Sequence, residues 1–239
     1  MIGHESHNAV QRHYFESRPR PRMWPRRSQY LERHIDEALA RLGPRPHARI
    51  LEVGCGMGRY TLALQRRGVT VEGLDLSAAL LERLRAFARP GSAPVLHAGD
   101  LLAPPAALLG QFDAVIGFFV LHHVPDLCAG LAGVRALLKP GGRAVFIEPN
   151  AWNPLFCLQI ALTPSMSFRA EQGIFDMRER PLAQAASAAG LSALAIERFG
   201  IAPPMVVDCA FGAQLERVLE RLPGPQWSRA FLSIACDRL

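Results

Sequence analysis

The hydrophobic residues change their spacing along the chain, and the first regular pattern is helical. Between residues 29 and 42 an apolar residue recurs every three or four positions, which is the spacing of one helix face. The apolar positions are Tyr30, Leu31, Ile35, Ala38, Leu39 and Leu42. The stretch Gly43-Pro44-Arg45-Pro46 then breaks the pattern. These features predict a helical segment over residues 1–48 ahead of the main body of the chain.

From Arg49 onward, short apolar runs alternate with helical stretches. The predicted strands are Ile50–Val53, Thr70–Leu74, Pro94–His97, Ala114–Phe118 and Arg143–Glu148. The predicted helices between them are Arg59–Arg67, Ser77–Phe87 and Leu127–Leu138. Strands that alternate with helices over short connections form a parallel, doubly wound sheet. Residues 49–149 are therefore predicted to be the core of an α/β fold.

The alternation stops after residue 149. Asn153 and Pro154 favour the start of an apolar helix that runs to residue 162, and the stretch up to residue 180 is irregular. We interpret residues 150–190 as a lid insert in a single domain of 239 residues. Residues 191–239 are expected to close the sheet. The predicted elements after the irregular stretch are helices at Pro181–Ala189 and Gly212–Arg221 and strands at Leu194–Phe199 and Phe231–Ala235.

Composition excludes two broad classes of protein. Hydrophobic residues make up 49% of the chain and charged residues 20%, which excludes general disorder. The apolar run Ala114–Leu121 is far shorter than the roughly 20 residues of a spanning helix. The polar N-terminus does not resemble a secretory signal, and five scattered cysteines without a C-x-x-C pair indicate reduced thiols. We therefore expect a cytoplasmic protein without a membrane span.

The net charge of +6 is concentrated at the N-terminus. Residues 1–49 hold ten arginines against five acidic residues, and Lys139 is the only lysine in the chain. Arginine-rich composition is found in nucleic-acid-binding proteins. It also follows from a GC-rich genome, and we prefer that explanation for most of these residues.

The stretch Gly54-Cys55-Gly56-Met57-Gly58 directly follows a predicted strand and precedes a helix. Glycines at such a place allow a tight turn and a close approach of a ligand to the backbone. Asp75 ends the next strand, where a carboxylate can accept hydrogen bonds from both hydroxyls of a ribose. A dinucleotide fingerprint needs glycine where Arg59 stands, and Glu52 would repel a pyrophosphate but suits a ligand that carries an ammonium group. S-adenosylmethionine is such a ligand.

Five motifs in a fixed order resemble the class I S-adenosylmethionine-dependent methyltransferases, in particular the Methyltransf_11-like group. The motifs cover residues 49–149 and are Ile50–Gly58, Val71–Ser77, His97–Leu101, Phe112–Val115 with Val120–Val124, and Leu138–Gly142. The resemblance implies a Rossmann-like, seven-stranded sheet in the order 3-2-1-4-5-7-6 with an antiparallel last strand. It also implies S-adenosyl-L-methionine as the cofactor.

The resemblance implies a role for each matching position. Asp75 would hold the ribose and Asp100 the adenine amino group, while Glu52 would order the methionine end of the cofactor. The full set of implied cofactor residues is Glu52, Gly54, Cys55, Gly56, Asp75, Leu76, Asp100, Leu101, Gly117, Phe118 and, from a helix that closes over the cofactor in relatives, Tyr14.

Three further residues are candidates for chemistry on the methyl acceptor. His122 and His123 follow the fourth predicted strand and Glu148 ends the fifth, so all three belong at the edge where open α/β sheets bind ligands. Any of them could serve as a general base, or could simply form the pocket wall. No H-x-x-x-H pair is present, so no metal is expected.

The sequence favours a small acceptor over a nucleic acid. The stretch after the fourth strand lacks the N/D-P-P-Y/F motif of enzymes that methylate bases. Aromatic and apolar residues around it favour an apolar or aromatic metabolite; they are Phe118, Phe119, Trp152, Leu155 and Phe156. Two alternatives stay open, namely an S-adenosylmethionine-binding accessory or sensor protein and, disfavoured by Arg59, an NAD-dependent oxidoreductase. The insert could also form a homodimer interface instead of a lid.

Overall fold

The described residues fold around a seven-stranded sheet. The computed structural model describes residues 4–17, 23–153, 171–201, 207–209 and 211–239. The helices are α1 (His4–Glu16), α2 (Gln29–Leu42), α3 (Thr61–Arg66), α4 (Ala78–Phe87), α5 (Leu127–Leu137), α6 (Glu179–Ala188) and α7 (Gly212–Arg221). The strands are β1 (Ile50–Val53), β2 (Val71–Asp75), β3 (Leu96–Ala98), β4 (Phe112–Phe118), β5 (Leu138–Pro149), β6 (Leu191–Phe199) and β7 (Phe231–Arg238).

The order of strands in the sheet is β3-β2-β1-β4-β5-β7-β6. Strands β1 to β5 pair in parallel, and β7 lies antiparallel to both of its neighbours, β5 and β6. This architecture confirms the predicted Rossmann-like fold with an antiparallel last strand. Because β1 to β5 are parallel, the loops after their carboxyl ends meet at one edge, which we call the carboxyl edge.

Both faces of the sheet are covered, as the alternation of side chains along the central strands requires. Val115 and Phe146 belong to a cluster with buried residues of α5 and α6. Their chain neighbours Ile116 and Val145 belong to a second cluster with buried residues of α2 and α3. The predicted helix over residues 29–42 is present as α2, but it packs into the core instead of lying ahead of it.

The last strands extend beyond their predicted bounds. Strand β5 begins at Leu138 instead of Arg143, and β6 begins at Leu191 instead of Leu194. In β6 the register shifts between Ser192 and Ala195, and Ala193 between them has a φ of 51°. Such a bulge interrupts the alternation of side chains, so the pattern of hydrophobic residues does not show where the strand begins. The helix predicted from Asn153 to residue 162 lies outside the described residues.

Helix α5 packs directly against the loop that follows β3. A Cβ atom added at Gly133 would lie 1.8 Å from the carbonyl oxygen of Leu101, a predicted cofactor residue. The close approach of α5 therefore fixes the backbone of this loop at the carboxyl edge. Among the described residues, no helix combines the length and the apolar character that crossing a membrane requires.

We predict that Gly133→Ala lowers the free energy of unfolding by about 2 to 3 kcal/mol, because the methyl group forces α5 away from the Leu101 backbone. Gly130→Ala in the same helix is the matched control. Its added Cβ would first meet the side chain of Val124 at 3.3 Å. We expect its stability to stay within about 1 kcal/mol of the wild type, since alanine favours the helix. Urea denaturation measures both changes, and equal stability of the two variants would contradict this packing.

Candidate functional site

The glycine loop after β1 bends back onto β2. The amide groups of Gly54 and Cys55 donate to the carbonyl of Leu74, at 2.8 and 3.3 Å. Gly54 and Gly56 have φ angles of 68° and 51°, in the left-handed region that favours glycine. A Cβ at Gly54 would meet Val120 Cγ2 at 2.5 Å, whereas a Cβ at Gly56 would have no heavy atom within 4 Å. Gly54 is therefore required by internal packing, and the space beside Gly56 is open to a ligand.

Asp75 connects the end of β2 with this loop. Its Oδ2 accepts from the amide of Gly56 at 2.7 Å, and its Oδ1 accepts from the amide of Ser77 at 2.8 Å. Burial raises the pKa of the carboxyl group, and the two amide hydrogen bonds oppose that shift. Each carboxylate oxygen can accept a second hydrogen bond. The group is thus held in place while it retains capacity for ligand hydroxyls.

Glu52 lies on β1 beneath the loop and is buried. Thr61 Oγ1 donates to its carboxylate at 2.7 Å. Burial raises the pKa of Glu52 to about 8; the hydrogen bond from Thr61 opposes the shift, and the negative charge of Asp75 adds to it. A carboxyl group with this pKa is mostly protonated at neutral pH. A positively charged ligand group nearby would favour its ionised form.

Helix α1 crosses the carboxyl edge above these groups. The side chain of Asn8 donates to Asp100 Oδ2 at 2.6 Å, and the carboxylate of Glu16 accepts a hydrogen bond from the hydroxyl of Ser77. The hydroxyl of Tyr14 donates to Glu171 Oε1 at 3.2 Å. These contacts tie α1 to the loops after β2 and β3 and to the segment that begins at residue 171. Tyr14, which the sequence analysis predicted to lie near the cofactor, thus belongs to a helix that packs over the carboxyl edge.

Glu148 organises the turn after β4. Its side chain is fully buried, and its Oε1 accepts from the amides of Val120 and Leu121, at 2.8 and 2.7 Å. Its Oε2 lies 2.6 Å from Nδ1 of His122. Phe119, at the start of the turn, has a φ of 57°, which is unfavourable for a bulky residue. The hydrogen bonds to Glu148 hold this strained turn.

His122 lies between two carboxylates. Its Nε2 is 3.3 Å from Glu171 Oε2, opposite the contact with Glu148. Burial disfavours the charged imidazole, but the charge and hydrogen bond of Glu148, together with those of Glu171, outweigh it and raise the pKa of His122 to about 9. Burial would also raise the pKa of Glu171, but the hydrogen bond from His122 and the other neighbours lower it to about 2. At neutral pH, an imidazolium therefore bridges two buried carboxylates.

His123 belongs to the same group of side chains. Its Nε2 lies 4.0 Å from Glu171 Oε2, and its ring meets that of Phe15 edge to face with centroids 5.1 Å apart. One nitrogen from each of His122 and His123 and one oxygen of Glu171 all lie within 4.8 Å of one another, and such atoms are common metal ligands. The absence of a metal therefore stays a prediction.

The remaining predicted cofactor residues also lie at or just after the ends of strands. Some of their side chains are half-buried, whereas others are buried inside the protein. Leu76 and Leu101 are half-buried after β2 and β3. The side chain of Cys55 is buried and packs with apolar residues of α3 and α4. Gly117 lies near the end of β4, and the ring of Phe118 stacks on Tyr60 with centroids 4.1 Å apart and is 5% exposed. Of the aromatic and apolar residues assigned to the acceptor, Trp152 is 59% exposed, and residues 155 and 156 lie outside the described ranges.

Sequence analysis did not identify three residues of the site, namely Asn8, Glu16 and Glu171. Glu171 is far from His122 in the sequence and belongs to no local motif. Its position is fixed by tertiary packing, since a Cβ at Gly173 would lie 2.1 Å from the carbonyl oxygen of His122. Only the pairing of these two loops in space shows that Glu171 belongs to the site.

We predict that Glu171→Gln lowers the pKa of His122 from about 9 toward its ordinary value of 6.5, because one of the two carboxylates that stabilise the imidazolium is lost. The raised pKa contributes stability that is fully present below about pH 6.5 and is lost as the pH rises through about 9. The variant should lose part of that contribution. Titration of the histidine ring signals by NMR measures the shift directly.

Glu179→Gln is the control for this titration. Glu179 forms an ion pair with Arg198 and is 66% exposed in its side chain. Its replacement should leave the pKa of His122 unchanged. An unchanged His122 titration in Glu171→Gln would show that the two side chains do not interact as described.

Comparison with known proteins agrees with the fold and places the chain in a family. Residues 23–196 match the family model described as a methyltransferase domain. The ubiquinone biosynthesis O-methyltransferase of Xanthomonas campestris pv. campestris is 35% identical over 116 residues, which are 48% of this chain and 48% of that protein. The chain thus matches about half the length of such curated relatives.

Solved structures share the architecture at low sequence identity. Geranyl diphosphate C-methyltransferase from Streptomyces coelicolor A3(2) superposes with a TM-score of 0.64 at 19% identity, over 98% of each chain. Phosphoethanolamine N-methyltransferase 2 from Haemonchus contortus superposes with a TM-score of 0.59 at 16% identity, over 86% of this chain and 52% of that one. These likenesses concern the fold. Because the family model covers well over half of the sequence, the chain belongs to the methyltransferase domain family.

Proposed function

We propose that this protein transfers the methyl group of S-adenosylmethionine to a small apolar or aromatic metabolite. The observation that carries the proposal is the pairing of Asp75 with the Gly56 amide beside open space at the carboxyl edge. A backbone held in this way can approach a nucleoside closely while the carboxylate accepts from its ribose. The family of the chain agrees with this proposal.

The residues at the edge fit the parts of this cofactor. Asp75 would bind the ribose hydroxyls, and Asp100 would accept from the adenine amino group beside Leu76 and Leu101. Glu52 would bind the ammonium of the methionine part, because a cation relieves the burial that keeps this carboxyl group protonated. When bound, the cofactor supplies an electrophilic methyl group on a sulfonium.

His122 and Glu171 would manage the proton of the acceptor. An imidazolium with a pKa of about 9 has no site for a further proton, so at neutral pH His122 orients Glu171 instead of acting as the base. A neutral hydroxyl oxygen becomes strongly acidic once it has gained a methyl group, because it is then an oxonium ion. Even a carboxylate with a pKa of about 2 can then accept its proton. Glu171 is therefore the proposed proton acceptor, with His122 and Glu148 as positioning residues.

The sequence also supports proposals on the location of the protein, the class of its acceptor and its oligomeric state. We propose that the protein acts in the cytoplasm on a small molecule and not on nucleic acid. Trp152, which precedes the segment over residues 154–170, is assigned to a lid over the acceptor, with a homodimer interface as the alternative. The accessory or sensor role and the NAD-dependent reaction remain the competing functions, and both are separated from methyl transfer by the experiments below.

We predict that titration calorimetry detects binding of S-adenosylhomocysteine and no binding of NADH. Gly56→Ala should weaken the binding of S-adenosylhomocysteine at least about tenfold, because the new methyl group projects into the ligand space. Gly110→Ala is the control, since Gly110 has a φ of 64°, also faces open space, and precedes β4 at the opposite edge. Both variants should lose about 1 to 2 kcal/mol of stability from left-handed backbone strain. Equal affinities of the two variants, or binding of NADH, would contradict the assignment.

We predict that the protein transfers labelled methyl groups from S-adenosylmethionine to a member of a panel of aromatic and apolar hydroxyl compounds. Glu171→Gln should lower kcat by about a hundredfold, since an amide cannot accept the proton, and should leave the affinity for S-adenosylhomocysteine unchanged. Glu179→Gln again serves as the control and should retain full turnover. Wild-type turnover in Glu171→Gln would exclude Glu171 as the proton acceptor, and cofactor binding without methylated product would favour the sensor role.

A further inference from the structure

Helix α7 turns its carboxylates toward the protein. Glu216 is buried, and its Oε1 accepts from the amide of Ile201 at 3.0 Å. Glu220 accepts from the amide of Gly200 and from the guanidinium of Arg33, the latter at 3.2 Å. The two acidic residues of the helix thus stabilise the backbone that follows β6. The inward face of α7 therefore includes both of its carboxylates.

The outward face of the same helix is apolar. Phe211, Leu215, Val218 and Leu222 recur every three or four residues, so they form one stripe along the helix. These four residues define what we call the α7 apolar face, and Trp227 in the segment after the helix is exposed as well. The exposed fractions are 76% for Phe211, 51% for Leu215, 56% for Val218, 55% for Leu222 and 55% for Trp227. A contiguous exposed stripe of this kind marks an interaction surface.

The charges that α7 presents to solvent are basic. Arg217 and Arg221 are exposed, whereas Glu216 and Glu220 are engaged on the inward side. Asp208, ahead of the helix, accepts hydrogen bonds from the hydroxyl of Ser28 and the amide of Tyr30. The surface therefore combines aromatic and aliphatic side chains with cations.

We propose that the α7 apolar face docks the protein onto an anionic lipid surface. A helix that presents arginines beside leucine, valine and phenylalanine suits the headgroup region, where cations meet lipid phosphates and the apolar side chains enter the acyl boundary. A second copy of the chain fits less well, because the same arginines would approach each other across a two-fold axis. The helix lies on the surface, since no described helix is able to span a membrane.

The fold places α7 at the functional side of the molecule. Strand β6 is antiparallel to β7, which is antiparallel to β5, so β6 runs in the direction of the parallel strands. Its carboxyl end, followed by Gly200 and the contacts to α7, therefore lies at the carboxyl edge. Docking through α7 would bring the edge that holds His122 and Asp75 toward the lipid.

Vesicle flotation tests the proposal with the full-length chain. Wild-type protein should float with phosphatidylcholine vesicles that contain half phosphatidylglycerol, and at least tenfold less with pure phosphatidylcholine. Val218→Asp should lower the partition coefficient at least about tenfold, because it removes one inserted valine. Arg217→Gln combined with Arg221→Gln should lower it about thirtyfold at low salt, because two lipid-facing charges are lost.

Matched variants outside the face complete the test. Val95→Asp replaces the same residue type at a similar exposure of 59%, and Arg89→Gln removes an exposed arginine elsewhere. Both should float like the wild type, with circular dichroism to show that all variants are folded. Absence of flotation with anionic vesicles, or equal flotation of Val218→Asp and Val95→Asp, would overturn the proposal. A wild-type dimer in sedimentation velocity that Val218→Asp dissociates would instead identify the face as a contact between copies.

Discussion

The acceptor side of the site depends on the hydrogen bonds to the buried carboxylate of Glu148. A fully buried charge is tolerated in a protein only when hydrogen-bond donors surround it. Glu148 receives the amides of Val120 and Leu121 and the ring of His122. These donors exist in that arrangement only because the chain turns sharply at Phe119. The buried acid and the strained turn therefore require each other.

From Glu148 the chain of contacts runs outward to the cover of the site. His122 links Glu148 to Glu171, and Glu171 accepts from Tyr14 on α1. Four segments that are distant in sequence are thus joined. Glu148, His122 and Glu171 are buried and alternate in charge, and the neutral, half-buried Tyr14 adds a hydrogen bond at the end. A change in the charge of His122 alters its attraction to both carboxylates at once. Through Tyr14 and Glu171, α1 is therefore tied to the same group of charged side chains as His122.

Sequence analysis predicted well whatever depends on local pattern. The strands β1 to β4, the glycine loop and the place of Asp75 at the end of β2 follow from apolar runs and from motifs with fixed spacing, and the sheet order followed from the resemblance. His122 and Glu148 were both singled out, but periodicity does not show that two side chains 26 residues apart share a hydrogen bond. Glu171 has no local signature at all. Helix α7 was predicted with the correct bounds. Its sequence pattern does not show that Glu220 and Glu216 face the protein and accept hydrogen bonds from the amides of Gly200 and Ile201.

Two buried glutamates at the carboxyl edge, Glu148 and Glu52, differ in the hydrogen-bond donors around them and therefore in their affinity for a cation. Glu148 has three donors, one of them an imidazolium, so its charge is compensated inside the protein. Glu52 receives one hydroxyl, from Thr61, and lies near a second acid, so burial holds its pKa at about 8. An incoming cation gains little beside Glu148, because that charge is already matched. Beside Glu52 a cation would supply the compensation that the fold lacks, and under the proposed function this asymmetry would orient the cationic end of the cofactor toward Glu52.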